Sequence, residues 1–128
     1  MKKLIYLLVV LLLIACSEDT PTETGNCSGD QVIYLAENDI TIKACDQANV
    51  GDTGVIAGIT YTVVDEAILR ELVANGADVT QVVTSKVTDM RYMFLSADSF
   101  NQSLGAWNIG GVTDMHHMLD QTALSVAN

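Results

Sequence analysis

The chain has 128 residues, with 16 acidic against 6 basic side chains and a formal net charge of −10. That length supports one domain with a modest core. The acidic balance excludes nucleic acid and anionic membrane surfaces as electrostatic partners, and loss of Lys2 and Lys3 by processing would make the remainder more negative still.

In chain order, Lys2 and Lys3 precede an unbroken apolar run from Leu4 to Ile14, and Ala15 and Cys16 close it before the sequence turns acidic. This is the three-part layout of a secretory signal. As a helix the run would rise only about 16 Å, short of the roughly 20 residues that cross a hydrocarbon core. Leu13-Ile14-Ala15-Cys16 resembles a bacterial lipobox. The resemblance implies that Cys16 becomes a lipidated mature N-terminus anchored in the cell envelope by more than one acyl chain. Ser17-Glu18-Asp19 resembles an acidic tag that directs some lipoproteins to the outer face of the outer membrane.

From Ser17 to about Asp30 the chain is acidic, Thr-rich and holds Pro21, the one proline, so it reads as a flexible tether. Cys27 and Cys45 lie in the exported part, where an oxidising compartment permits a bridge. Closing that loop of about 18 residues is worth about 3 kcal/mol; two free buried thiols are the alternative. Next, Val32 and Tyr34, then Ile40 and Ile42, flank Glu37-Asn38-Asp39 and predict a hairpin. A second is predicted where Val55-Ile56 and Ile59 to Val64 flank Ala57-Gly58. Asp65 stands at the N-cap position of a helix with Ile68, Leu69, Leu72 and Val73 on one face and Asn75-Gly76 as its stop. Val79 to Thr84 reads as a strand.

The most informative feature is self-similarity. Val87-Thr88-Asp89-Met90 recurs as Val112-Thr113-Asp114-Met115, and Met93 and Phe94 fall on Met118 and Leu119 at the same offset of about 25 residues. The i, i+3, i+4 spacing of Met90, Met93, Phe94 and Ala97 predicts a short helix in each copy, with Thr88 or Thr113 as N-cap. A turn through Asp98 to Ser103 and a strand through Leu104 to Ile109 would complete the unit. Sliding the offset backwards places Ile68, Leu69 and Leu72 under Met93, Phe94 and Ala97, which makes the helix after Asp65 a degenerate first copy. The fold class expected is therefore an α/β repeat: N-terminal β-hairpins followed by a short leucine-rich-repeat-like solenoid of helix-loop-strand units. Its segments are a signal peptide over 1–15, a lipidated acidic tether over 16–30, a β-hairpin region over 31–64, a degenerate first repeat over 65–86, a full repeat over 87–111 and a partial terminal repeat over 112–128. Met90, Met93, Phe94, Phe100, Trp107, Ile109, Met115 and Met118 form the expected repeat core.

The run Val87-Thr88-Asp89-Met90-Arg91-Tyr92-Met93-Phe94, with Phe100-Asn101-Gln102, Leu104 and Trp107-Asn108-Ile109, resembles the BspA-type leucine-rich-repeat surface proteins of bacteria. Val50-Gly51-Asp52-Thr53-Gly54 and Ile59 to Asp65 resemble the segment that precedes the repeats in such proteins. Gly110-Gly111 departs from the polar residues usual at that turn, and after Met118 the Phe-Asn-Gln and Trp elements are missing. A stop at Asn128 ahead of a full terminal cap reads as a truncated product.

A catalytic constellation is not expected. His116 and His117 are the two histidines, and on a helix they would point about 100° apart and could not chelate one metal. They take the places of Arg91 and Tyr92 in the preceding copy, so these four define an expected exposed contact surface. Asp30, Asp39, Asp46 and Asp52 lack the spacing of a calcium loop and read as solvated turns. Asn101-Gln102-Ser103 fits a glycosylation pattern but reads as a repeat turn. No nucleophile elbow or phosphate loop is present, and no cofactor or metal is expected. The resemblance implies adhesion: a lipid-anchored module, held to the membrane through Cys16, that contacts a protein or glycan. The alternative is a truncated or scaffold envelope lipoprotein without a dedicated ligand.

Overall fold

The computed structural model describes residues 27–120. The expected signal peptide, Cys16, the tether up to residue 26 and the last eight residues of the terminal repeat lie outside the described residues. Strand β1 (Ile33–Leu35) pairs antiparallel with β2 (Ile42–Ala44), Ile33 opposite Ala44 and Leu35 opposite Ile42. Their connection is tied by Asn38, whose Oδ1 accepts from the backbone N–H groups of Ile40 and Thr41 at 3.1 and 2.9 Å. The side chain thus does the work of a backbone turn bond. Cys27 and Cys45 are joined by a disulfide, which fastens the start of the described chain to the residue after β2.

The second hairpin is formed by β3 (Thr53–Ile56) and β4 (Ile59–Val63), in register with Ile56 opposite Ile59. Its two loop residues, Ala57 and Gly58, have φ of 50° and 81°. Positive φ at both central positions is the primed turn whose twist matches the flanking strands. Gly54 of β3 faces the side chain of Ile33, and a Cβ there would collide with it. A glycine is what lets the two hairpins approach.

Helix α1 (Glu66–Ala74) starts at Asp65, whose Oδ1 accepts from Ile68 N at 2.9 Å. It ends with Gly76 at φ 66°, where Gly76 N donates to Val73 O and Ala77 N to Leu72 O. These two bonds are a Schellman stop. Leu69 and Val73 are buried, Leu72 is partly buried, and Ile68 is exposed. The chain then returns as β5 (Val82–Val83), parallel to β4, so β4, α1 and β5 form a compact strand-helix-strand unit. The strand expected over Val79 to Thr84 is reduced to these two residues.

Beyond β5 the expected architecture is not what the chain builds. Among the described residues no helix or strand follows Val83, so helix-loop-strand units do not recur and a leucine-rich-repeat-like solenoid is not formed. Where the first repeat helix was expected, Met93, Leu95 and Ala97 donate to the carbonyls three residues earlier, each bond closing a separate turn. Tyr92 and Ser96 have φ of 52° and 64°, a conformation that ends any right-handed helix. The alternate N–H groups point sideways instead: Met90, Tyr92 and Phe94 donate to Asp114, His116 and Met118 of the second copy at 2.8, 3.0 and 3.2 Å. A backbone that spends every other N–H on its neighbour cannot also close the i to i−4 ladder. The strand expected over Leu104 to Ile109 is absent as well. There the Asn108 carbonyl accepts from the Thr84 hydroxyl at 2.9 Å, a side-chain bond in place of a strand ladder.

Two apolar clusters hold these parts together. One, around Ile33, Ile42, Val63 and Val83, lies under the hairpins. The other gathers Leu69, Val73 and Val79 with Met90, Met93, Phe94, Phe100 and Trp107. Phe94 is fully buried, its ring 4.4 Å from that of Phe100 and 5.9 Å from that of Trp107. A buried aromatic of this kind is worth about 1.5–3 kcal/mol from area alone. The Trp107 indole N–H donates to Val79 O at 2.9 Å, so its polar edge is satisfied inside the core.

Candidate functional site

Both copies of Val-Thr-Asp-Met build the same local device. Asp89 Oδ1 accepts from Arg91 N, and Asp114 Oδ1 accepts from His116 N, each at 2.9 Å. Met93 N then donates to Met90 O at 3.2 Å, and Met118 N to Met115 O at 3.1 Å. The third residue of each turn is left-handed: Tyr92 at φ 52° and His117 at φ 51°. Type II turns place their positive φ at this position and normally fill it with glycine or asparagine. Here bulky rings occupy it at a cost of about 1–2 kcal/mol each. Thr88 and Thr113 are not the caps expected for helices. Thr113 links the copies, donating through both N and Oγ1 to Thr88 O at 2.8 and 3.1 Å.

The stacking sets equivalent side chains beside each other on the surface. The Tyr92 ring lies nearly parallel to that of His117, centroids 5.3 Å apart, and meets His116 edge-on at 6.1 Å. His116 and His117 themselves come within 3.9 Å, centroid to centroid. The divergence expected from neighbouring helical positions fails because this segment is a turn with a left-handed residue. His117 Nδ1 is paired with Asp120 Oδ2. Among the described residues no group of three His, Cys, Asp or Glu is placed to hold a metal ion.

Charge runs along the same face. The Arg91 guanidinium grips Asp89, Nη2 to Oδ2 at 2.7 Å, and reaches Asp114 Oδ2 at 3.5 Å. Arg70 of α1 pairs with Glu66 at 2.8 Å and approaches Asp89 at 3.7 Å. The side-chain and backbone hydrogen bonds from Arg91 lower the Asp89 pKa to about 2, and the Asp89 partner raises that of Arg91 above its ordinary value. Asp89 and Asp114 are backbone partners in a parallel bridge, and Arg91 reaches the carboxylates of both.

Arg91, Tyr92, His116 and His117, expected as a contact surface, are therefore all exposed and joined into one patch. Met90, Met93, Phe94, Phe100, Trp107 and Met118 are buried. Ile109 and Met115, expected in the core, are not: they are 49 % and 44 % exposed. Met115 lies in the second copy and Ile109 at the end of the first, whereas the residues one repeat earlier, Met90 and Thr84, are fully buried. The sequence reading missed the acids of the patch, Asp89, Asp114 and Asp120; the recurrence of Asp at one offset was the signal available. It also missed Gln102, which accepts from Val79 N and donates to Ala77 O, both at 2.7 Å, and so pins the return from α1. A groove of about 480 Å³ lies between α1 and this segment, lined in part by Arg70, Met93, Phe100 and Gln102.

The unit running from the α1 N-cap through both copies is the part of the chain with known counterparts. A family model described as Mycoplasma protein of unknown function, DUF285, matches residues 65–126. No curated protein and no solved structure matches the chain.

Proposed function

We propose that the chain is a contact module of the bacterial cell surface, held in the envelope by a lipid on Cys16 and working by binding a protein or glycan through the Tyr92 patch. The observation that carries this reading is the in-register display of Arg91 and Tyr92 beside His116 and His117 on an exposed face. Strained turns that hold rings outward are costly to keep, and such strain concentrates where a surface is used. The match of residues 65–126 to the DUF285 model supports it, as does the resemblance of the repeat motif to BspA-type surface proteins. Tyr92, His116 and His117 supply an aromatic contact beside Arg91 and its paired carboxylates.

Two measurements test it. The chain immobilised on biosensor tips and offered extracellular-matrix proteins and glycan panels is expected to give saturable binding that Tyr92→Ala weakens about tenfold, a loss of about 1.4 kcal/mol. Equal binding by wild type and Tyr92→Ala defeats the patch. For the anchor, Cys16→Ser is expected to move the expressed protein from the detergent phase to the aqueous phase. Unchanged partition removes the lipid from the reading.

A further inference from the structure

We propose that the outward edge of the second copy is a docking edge for one more segment of the pattern Val-Thr-Asp-Met-x-x-Met, presented by another polypeptide. The molecule already contains one such complex. The edge Val87 to Phe94 is covered by Val112 to Met118, through Thr113 onto Thr88 O and through the N–H groups of Met90, Tyr92 and Phe94 onto three carbonyls of the covering segment. Under that cover Val87 and Met90 are fully buried.

The covering segment repeats the sequence of the edge it covers. Thr113 O, Met115 N and His117 N are the counterparts of Thr88 O, Met90 N and Tyr92 N, and the turn that sets them, with its left-handed third residue, is the same in both copies. Among the described residues Thr113 O accepts, and Met115 N and His117 N donate, none of the inter-copy bonds that their counterparts make. Their apolar neighbours tell the same story. Met115 and Ile109 are about half exposed, and the residues in the corresponding places, Met90 and Thr84, are fully buried. An edge with a known complement and exposed apolar side chains is a template for strand-like addition. The occupant is thus defined by chemistry: a segment that takes the same turn as residues 112–118, with Thr to donate, carbonyls at alternate positions and apolar Met side chains. This rests on the stacking of the copies and is independent of any role of the Tyr92 patch.

The test titrates the full chain into a fluorescein-labelled peptide of the sequence of residues 108–119 and reads anisotropy. Saturable binding is expected, weakened about tenfold by Met115→Asp and by Ile109→Asp. Val55→Asp, a change on the exposed face of the β3–β4 hairpin, should leave it unchanged. A peptide with Asp at both Met positions should not bind. Circular dichroism checks each variant; if Met115→Asp alters the fold, Ile109→Asp decides. No saturable binding by the wild type, or equal binding by folded edge variants, overturns the proposal. Binding that appears only after deletion of residues 121–128 also overturns it, because the edge is then covered from within the chain.

Discussion

Between Ile33 and Val83 the backbone is held by paired strands and one capped helix. Between Val87 and Asp120 it is held by consecutive turns, a few bonds between two copies of one motif, and side chains reaching backbone from a distance. Both regions contain fully buried side chains, Val63 and Val83 in one and Met90 and Phe94 in the other. Burial is therefore not what separates them. Regular elements satisfy their own backbone groups whatever the side chains are. The irregular region assigns that task to particular residues, so it should be the more brittle to single substitutions.

Substitutions at four positions and one reduction probe this contrast. Phe94→Ala should act most strongly, costing about 3–5 kcal/mol in urea unfolding. Hydrogen exchange should then lose protection over residues 87–118 while β3 and β4 keep theirs. Equal loss in both regions would mean that the two clusters unfold as one. Reduction of the Cys27–Cys45 disulfide should cost about 3 kcal/mol in thermal melting, with the β1–β2 hairpin affected first. Gln102→Ala strips Val79 N and Ala77 O of their partners at once, and a loss of about 1–3 kcal/mol is expected. An unchanged melting temperature would show that water replaces the amide without cost.

The smaller effects concern the turns. Tyr92→Gly should be more stable than Tyr92→Ala by about 1 kcal/mol, because glycine accepts the left-handed backbone and alanine does not. The reverse order would mean that the turn relaxes on truncation. Smallest is a pH effect from Asp89. Its folded pKa of about 2 lies below the ordinary 3.8, so its contribution is present above pH 3.8 and is lost as pH falls from there through 2. Asp89→Asn should flatten the stability profile in that window, and a profile identical to wild type would remove Arg91 as its cause.

The regular region was legible because local chemistry and final structure agree there. Asp65 and Gly76 cap a helix whose apolar residues share a face, and Ala57-Gly58 turns a hairpin between alternating strands. The repeat offset was legible too, and it reappears as hydrogen bonds such as Thr113 to Thr88. What misled was the period. Met90, Met93 and Phe94 are buried at i, i+3 and i+4 in a chain of turns whose bonds each span three residues. Hydrophobic spacing does not distinguish the two, and the left-handed positions carry Tyr92, Ser96 and His117, not the glycine that would have marked them. The exposure of Arg91, Tyr92, His116 and His117 followed from their place between the apolar positions. The exposure of Ile109 and Met115 depends on which copy covers which, and that is a property of the assembled stack.

The disulfide also decides how the domain carries mechanical load. Cys27 is cross-linked to Cys45, so tension applied from the N-terminal side passes through a covalent bond to the far end of β2. Residues 28–44, with the whole β1–β2 hairpin, become a closed loop outside the line of force. Pulling from that side then engages the chain first at residue 46, and the β1–β2 hairpin is shielded from shear.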